Sequence, residues 1–228
     1  MSLQAHTQGL QVVVEESLRG ILALGILEAE HVQTGELPAH FLAERDRVVE
    51  RLTTLYADRQ TGDIPGAAET RALFHRLDID PTKHRPISEA LLRRVLQGKG
   101  LPEVNAVVDV CNLCSLEHQL PFGLYDRAVV QGPVHVRVGR DGEGYPGIRK
   151  QRVHLGGRLL LADQVGAFGA PTSDSERTSV TPETTGLLLV AFGPAERGGD
   201  QMIAALEHVS GLLTSCCGAN VTAVRVLQ

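Results

Sequence analysis

Apolar and polar positions along the first half of the chain predict two strands followed by a series of helices. The run from Gly20 to Ala29 is almost continuously apolar, which favours a buried strand. Between Glu36 and Arg59, apolar residues recur among many charges, which is typical of a long amphipathic helix. The same patterns predict a strand at Leu10–Glu15 and helices at Ala67–Leu77, Ile87–Gln97 (stopped by Gly98 and Gly100) and Glu103–His118.

The second half of the chain changes to shorter, alternating segments. Residues Val134–Val138 alternate apolar and polar, which indicates a half-exposed strand, and Gly-rich turns are predicted over Gly139–Gly147. Asp200–Leu213 reads as a helix with an apolar face. Further strands are predicted at Arg158–Ala162, Gly186–Ala191 and Val221–Leu227. These elements predict an α/β (α+β) fold with a mixed sheet of short strands and helices packed around it.

Length and composition favour one domain over residues 1–228. The chain has 228 residues, of which 43% are hydrophobic, so it can bury one sizeable core. No internal repeat is visible, and no segment is long or polar enough to act as an interdomain linker. The net charge is −5, whereas a protein attracted non-specifically to phosphates is normally basic. With no Trp and only 4% aromatic residues, broad base-stacking platforms are not expected, so any RNA binding needs a local patch.

Several features favour a cytoplasmic protein with reduced thiols and without a metal or cofactor. No apolar run reaches the ~18 residues of a membrane span, and the first residues do not resemble a signal peptide. Cys111 and Cys114 form a C-x-x-C motif, which alone suggests a redox pair or half of a zinc site. The adjacent Cys216 and Cys217 would complete such a site poorly, so buried small hydrophobes are the favoured interpretation.

The most informative stretch is Val107–Asp126, which reads VVDVCNLCSLEHQLPFGLYD. It resembles the tRNA-binding and editing domain of the phenylalanyl-tRNA synthetase β subunit, and stand-alone versions of that domain in particular. The matching positions are Asp109, Asn112, Leu116, Glu117, Pro121, Tyr125 and Asp126. Pro86–Arg94 and Asp174–Thr184 also fit the stand-alone pattern in the expected order. The resemblance covers residues 80–193 well, with 1–79 as N-terminal strands and helices and 194–228 as a closing helix and strand.

The resemblance implies a pocket that admits the aminoacyl end of a tRNA. Carried over position by position, Asn112, Gly123 and Tyr125 would line this pocket. Its wall would be the segment Asp174–Thr178, which contributes the substrate-binding candidates Ser175, Arg177 and Thr178. Two positions depart from the synthetase pattern: Gly123 replaces a common His, and Cys111 replaces a Thr. A His could orient water or the substrate carbonyl, which Gly cannot do, so the catalytic residue is unknown.

The same residues also have plainer structural interpretations. Asp109 and Asn112 are three apart on a helix and share a face, and an Asn there offers both a donor and an acceptor to a ligand. Bracing of the neighbouring backbone is the favoured role for Asp109, whereas the two roles are evenly matched for Asn112. Tyr125 is equally compatible with the core. A solvated Arg177 is the commoner case, but the fit of its segment favours function.

Basic residues are concentrated in one stretch that is the candidate RNA contact: Lys83, Arg85, Arg93, Arg94 and Lys99. A solvated face is the default interpretation, and a phosphate-contacting patch is the sharper alternative. The predicted partner is tRNA or aminoacyl-tRNA, not DNA or a membrane. Other site classes lack their motifs, since no G-x-S-x-G elbow and no phosphate-binding Gly loop occurs.

Three functional hypotheses therefore stand. The first is an enzyme that hydrolyses mischarged aminoacyl-tRNA in trans. The second is a non-catalytic module that binds an aminoacyl-tRNA end or a free amino-acid-like ligand. The third is a small-molecule binder or enzyme that has reused the pocket, since a fold alone does not choose a function.

Overall fold

The computed structural model describes residues 9–149 and 151–228. The helices in these residues are α1 (Ala39–Leu55), α2 (Pro65–Arg76), α3 (Ile87–Leu96), α4 (Ala106–His118) and α5 (Gly199–Cys217). The strands are β1 (Val12–Val14), β2 (Leu22–Glu30), β3 (Phe122–Asp126), β4 (Val134–Val138), β5 (Gly144–Pro146), β6 (Arg152–His154), β7 (Leu159–Ala162), β8 (Ala167–Gly169), β9 (Gly186–Pro194) and β10 (Asn220–Leu227).

Two four-stranded sheets and a small hairpin organise these strands. The first sheet has the order β10-β2-β9-β3, and all its pairs are antiparallel. The second has the order β1-β4-β7-β8, with β1 and β4 parallel and the other neighbours antiparallel. Strands β5 and β6 form the separate hairpin. The predicted α+β fold with helices around mixed strands is confirmed, as two sheets instead of one.

The first sheet is covered on both faces, which explains its continuous apolar strands. On one face, Leu27 of β2 and Leu189 of β9 join a core built with α1, α3, α4 and α5. On the other, Ile26 and Val190 join a core shared with the second sheet and α2. A strand buried on both faces loses the polar positions that mark a half-exposed strand. The uninterrupted apolar run over β2 is the sequence signature of this central position.

Most predicted helices and strands are present, and their ends follow local chemistry. Helix α4 begins at Ala106, three residues after the predicted start, because Asn105 Oδ1 accepts a hydrogen bond from the Val108 N–H at 3.0 Å. Helix α5 continues to Cys217, beyond the predicted end, and stops where Gly218 adopts a φ of 63°.

The segment after α4 differs from the prediction. The sequence of Leu120–Gly123 predicts a turn that brings Tyr125 back over the helix end, but the chain runs straight on as β3, paired with β9. Reversal occurs earlier, at Gln119, which has a φ of 54°. Strands β5, β6 and β8 were also not predicted, since three-residue strands carry too little periodicity to detect. Part of the predicted turn region Gly139–Gly147 is β5.

Within the described residues, no helix is both long and apolar enough to cross a membrane.

Candidate functional site

A cleft of about 400 Å³ opens where α4, β3 and the β8–β9 connection meet. Helix α4 contributes neighbouring residues Val108, Cys111 and Asn112, which the three- and four-residue spacing places on one face. Strand β3 contributes Phe122 and Leu124, which alternate with residues on its opposite face. The remaining lining residues are Ile87, Val104, Ile148, Arg149, Asp174, Ser179 and Val180.

The chemistry of this cleft combines an apolar wall with a few polar groups. Its aliphatic and aromatic side chains come from α4, β3 and the flanking loops, and its charged groups are Arg149 and Asp174. Asn112 adds an amide with both donor and acceptor atoms. Such a mixture is usual in sites that bury part of a small organic molecule and orient its polar end.

Tyr125 holds the Asp174 carboxylate, which lines the cleft, by a hydrogen bond from the opposite face of β3. Its ring is fully buried, and its hydroxyl donates a 2.7 Å hydrogen bond to Asp174 Oδ1. The ring also makes an edge contact with Phe168, with centroids 4.9 Å apart. Burial, followed by the nearby Asp174 charge, raises the pKa of the Tyr125 hydroxyl well above its usual value. The hydroxyl therefore stays protonated and can keep donating to Asp174.

Gly123 lies on the same face of β3 as Tyr125, away from the cleft lining. A Cβ at position 123 would lie 2.0 Å from the Tyr125 hydroxyl oxygen, and one at Gly169 would lie 2.2 Å from the same atom. The two glycines therefore make the space that the tyrosine occupies. In this chain, a side chain at position 123 would collide with the Tyr125 hydroxyl.

Ser175, Arg177 and Thr178 support the β8–β9 connection and do not line the cleft that holds Asn112. Arg177 makes a bidentate ion pair with Asp163, at 2.9 and 3.1 Å, and lies 5.8 Å from the Phe168 ring centroid. Ser175 and Thr178 are buried, and their hydroxyls lie 3.1 Å apart. Ser175 and Arg177 instead border a separate depression of about 340 Å³. Their assignment to substrate binding stays a prediction.

Comparison with known families identifies the domain. A family model described as the B3/4 domain matches residues 69–218, which is most of the chain. The chain belongs to the B3/4 domain family. All the residues that line the cleft fall inside the matched B3/4 region. The resemblance drawn from residues 80–193 is thereby confirmed.

Similar proteins include synthetase subunits and a shorter protein. The phenylalanine–tRNA ligase β subunit of Brucella abortus is 26% identical over 161 residues, which cover 60% of this chain and 20% of that subunit. This B3/4 chain thus spans about a fifth of the length of such subunits. The uncharacterized protein YhzB of Bacillus subtilis is 23% identical over 185 residues, covering 81% of this chain and 82% of YhzB.

A solved structure is also similar to this B3/4 chain. It is an N-terminal fragment of the phenylalanyl-tRNA synthetase β-subunit from Pyrococcus horikoshii, with a TM-score of 0.47 and 15% identity. The match covers 93% of this chain and 50% of that one.

The predicted basic stretch of this B3/4 domain runs along α3, from Lys83 before its start to Lys99 after its end. Lys83 Nζ lies 3.8 Å from Asp80, and Arg85 Nε lies 3.3 Å from the buried Glu89. The other three residues of the stretch, Arg93, Arg94 and Lys99, are all exposed. Arg94 also donates a 2.9 Å hydrogen bond to the Gly100 carbonyl. Contact of these residues with RNA stays a prediction.

The cysteines of the C-x-x-C motif are buried thiols on α4. Burial, with a smaller effect of Asp174, raises the pKa of Cys111, and burial also raises that of Cys114. All four cysteines of the chain are free. Among the described residues, no three His, Cys, Asp or Glu side chains are grouped so that they could hold a metal ion. The Cys111 thiol therefore lines the cleft as a neutral, weakly polar group.

Sequence reasoning found part of the cleft and missed the rest. Asn112 was predicted, and Asp174 was placed in the wall. The apolar residue Val108 was missed, although its spacing of four from Asn112 was a usable signal, and Val104, which lies just before α4, was missed as well. Ile148 and Arg149 come from the β5–β6 hairpin and had no local signal, because only the tertiary fold brings that hairpin to the cleft. Asp109, by contrast, accepts a 2.9 Å hydrogen bond from the Val104 N–H, as its favoured bracing role requires.

Proposed function

We propose that this B3/4 domain recognises the aminoacylated 3′ end of a tRNA, with the amino acid held in the cleft. The observation that carries the proposal is the pairing of a positioned carboxylate, Asp174, with an apolar wall on the family's own motif residues. A carboxylate attracts the α-ammonium group of an amino acid, and the apolar wall suits its side chain. Asn112 would accept or donate at the acyl group.

The family membership supports this choice of ligand. Curated relatives of this B3/4 chain are named as phenylalanine–tRNA ligase β subunits, and an amino acid and a tRNA are the two partners in that name. Because the chain spans about a fifth of such subunits, we expect recognition without synthesis of the aminoacyl bond. A protein with such a ligand would work in the cytoplasm, as the sequence predicts.

A binding experiment with a non-hydrolysable ligand tests this function. Adenosine carrying an amino acid through a 3′-amide is the probe, offered as a panel of side chains and measured by titration calorimetry. Asp174→Asn retains an oxygen that can accept the Tyr125 hydrogen bond but removes the charge, so we expect roughly tenfold or greater loss of affinity. Asp200→Asn, an exposed carboxylate on α5, is the matched control and should bind like the wild type. Equal affinity of both variants for every probe would contradict the proposal.

Hydrolysis of mischarged aminoacyl-tRNA in trans is the second candidate, and one observation favours it. Asp174 is held by Tyr125 at the cleft, where a carboxylate could take a proton from an attacking water. The raised pKa of the Cys111 thiol makes that neighbour a poor nucleophile at neutral pH. Ester cleavage would then depend on Asp174 or on groups of the substrate itself.

Deacylation assays separate hydrolysis from binding. We would compare a panel of mischarged tRNAs with the wild type, Asn112→Ala, Arg177→Ala and Asp174→Asn. Loss of a general base typically costs ~10²-fold or more in rate, so Asp174→Asn should abolish turnover while Arg177→Ala retains it. If no member of the panel is cleaved faster than in buffer, hydrolysis is excluded for that panel and recognition alone stands.

A further inference from the structure

One concentration of positive charge that reaches the cleft is the segment from Arg137 to Arg158, called here the basic arm. It contains six Lys or Arg residues and two acidic ones, a net charge of +4 in a chain whose net charge is −5. The rest of the molecule is correspondingly acidic. A polyanion approaching this protein is therefore attracted to its basic segments and repelled by the net negative charge of the rest.

Among the described residues of the arm, most of the positive charge is not in an ion pair. Within the described part of the arm, the ion pair present is Arg137 with Glu143, at 2.6 Å. Arg149 and Arg152 are exposed, and Arg152 donates a 3.1 Å hydrogen bond to the Gly142 carbonyl, which leaves its charge uncompensated. On β6, Val153 packs inward with the Tyr145 core, so the alternation of the strand directs Arg152 outward.

The arm is fixed to the edge of the cleft. Its Ile148 N–H donates to the Asp174 carbonyl at 3.3 Å, and Gly147 forms a bridge with Ser175. Ile148 and Arg149 themselves belong to the cleft lining. A chain of phosphates lying on the arm would therefore end beside Asp174.

A second basic segment lies near the end of the arm. Arg158 lies close enough to His84 that its charge helps burial lower the pKa of that histidine. His84 is flanked by Lys83 and Arg85, which belong to the basic stretch along α3 and lie beside Asp80 and Glu89. Ile87, at the first turn of α3, also lines the cleft. Positive residues thus reach the cleft from the arm and from the segment before α3.

We propose that the basic arm binds the sugar–phosphate backbone of the single-stranded RNA end whose terminal residue enters the cleft. This inference rests on the proposed function and adds the surface that holds the RNA. Arginine suits the task because its planar guanidinium donates two parallel hydrogen bonds to a phosphate. Because aromatic residues are scarce, contact with phosphates is favoured over stacking on the bases.

The test compares the tRNA affinity of two variants, each of which loses two positive charges, one in the arm and one elsewhere on the surface. Arg149→Ser with Arg152→Ser removes two charges from the arm, and Arg19→Ser with Arg59→Ser removes two exposed charges elsewhere. Binding of an uncharged tRNA is measured by fluorescence anisotropy over a series of salt concentrations. We expect the arm variant to lose about tenfold or more in affinity at low salt, with its salt slope reduced by ~1.4, since each phosphate contact to single strands contributes ~0.7. The control variant should change less than about twofold.

A second measurement uses the same tRNA without its single-stranded 3′ end. The wild type should bind this RNA as weakly as the arm variant binds the full tRNA. Equal losses in the arm and control variants would overturn the inference, because general charge would then explain binding. So would full affinity for the shortened tRNA, or equal competition by polyglutamate.

The outcomes separate this inference from the proposed function. The aminoacyl-amide adenosine could bind in the cleft while the arm substitutions leave the affinity for tRNA unchanged. In that case the arm inference fails and the cleft proposal stands. If tRNA binds through the arm but Asp174→Asn leaves the preference for aminoacylated ends unchanged, the cleft proposal fails. Melting temperatures equal to that of the wild type would show that the exposed arginine substitutions leave the fold intact.

Discussion

The contact between His118 on α4 and His208 on α5 predicts that the domain loses stability in mild acid. His118 Nε2 lies 2.9 Å from His208 Nδ1, with the rings at 70°. Burial, followed by the nearby charges of His208, Arg197 and Arg51, lowers the pKa of His118 from 6.5 to about 4. Glu117, 3.7 Å from His208, is the acidic group at this contact.

The sign and size of the effect follow from proton linkage. An unfolded His118 takes up a proton near pH 6.5, whereas the folded one does so only near pH 4. Between these values the unfolded chain binds more protons, so stability is complete above 6.5 and falls as the pH drops toward 4. Each tenfold change in proton affinity corresponds to ~1.4 kcal/mol, which gives about 3 kcal/mol for the full interval. Residual solvent contact of the ring reduces the expected loss to about 2 kcal/mol.

Urea unfolding at a series of pH values measures this loss. Other groups also titrate in acid, so the informative quantity is the difference in unfolding free energy between the wild type and His118→Gln. That difference should shrink by about 2 kcal/mol between neutral pH and about pH 4. His154→Gln, an exposed histidine on β6, serves as the control for replacing a histidine outside this contact. A constant difference for His118→Gln would refute the assignment of the acid sensitivity to this contact.

Three further predictions concern two side chains that support the cleft and the reactivity of the cysteines. Arg177→Ala leaves the buried Asp163 carboxylate without its bidentate partner, so unfolding free energy should fall by about 3 kcal/mol in urea titrations, and Arg177→Lys should recover only part of it. Tyr125→Phe removes the hydrogen bond to Asp174, so it should cost about 1–3 kcal/mol and also weaken binding of the aminoacyl-amide probe. Among the four thiols, Cys216 should react with iodoacetamide in the folded protein, while the buried others should react only after unfolding, as mass spectrometry can establish.

Local chemistry explains why much of the fold was predictable. Helices such as α3 and strands such as β2 carry their signals in their own sequences, through apolar faces, long apolar runs and terminal glycines. Strand β3 was missed because its sequence, Phe-Gly-Leu-Tyr-Asp, follows a proline and contains a glycine, both of which favour a turn. Pairing with β9 and the packing of Tyr125 override that local preference.

The site was less predictable than the fold because its residues come from distant segments. Asn112 and the motif around it could be found, since they lie on one helix. The ion pair of Arg177 with Asp163 could not, because nothing in either segment specifies the other. The hairpin residues of the cleft depend on the same kind of long-range contact, between Ile148 and Asp174. A polar residue in a motif can thus support a site without lining it.

Position 123 shows how this distinction bears on the chemistry of the domain. The missing His is one reason to doubt hydrolysis, and it suggests Gly123→His as a way to restore the activity. In this structure, however, position 123 faces the Tyr125 hydroxyl, where even a Cβ would lie 2.0 Å from the oxygen. Overpacking of this kind costs about 1–3 kcal/mol, so Gly123→His should lower the urea midpoint and disturb the Tyr125 contact to Asp174. It should therefore give no gain in deacylation and should weaken binding of the aminoacyl-amide probe. Leu124→His, on the opposite face of β3, is the matched control because its side chain enters the cleft. A Gly123→His protein that is as stable as the wild type and hydrolyses mischarged tRNA faster would refute this account of the cleft.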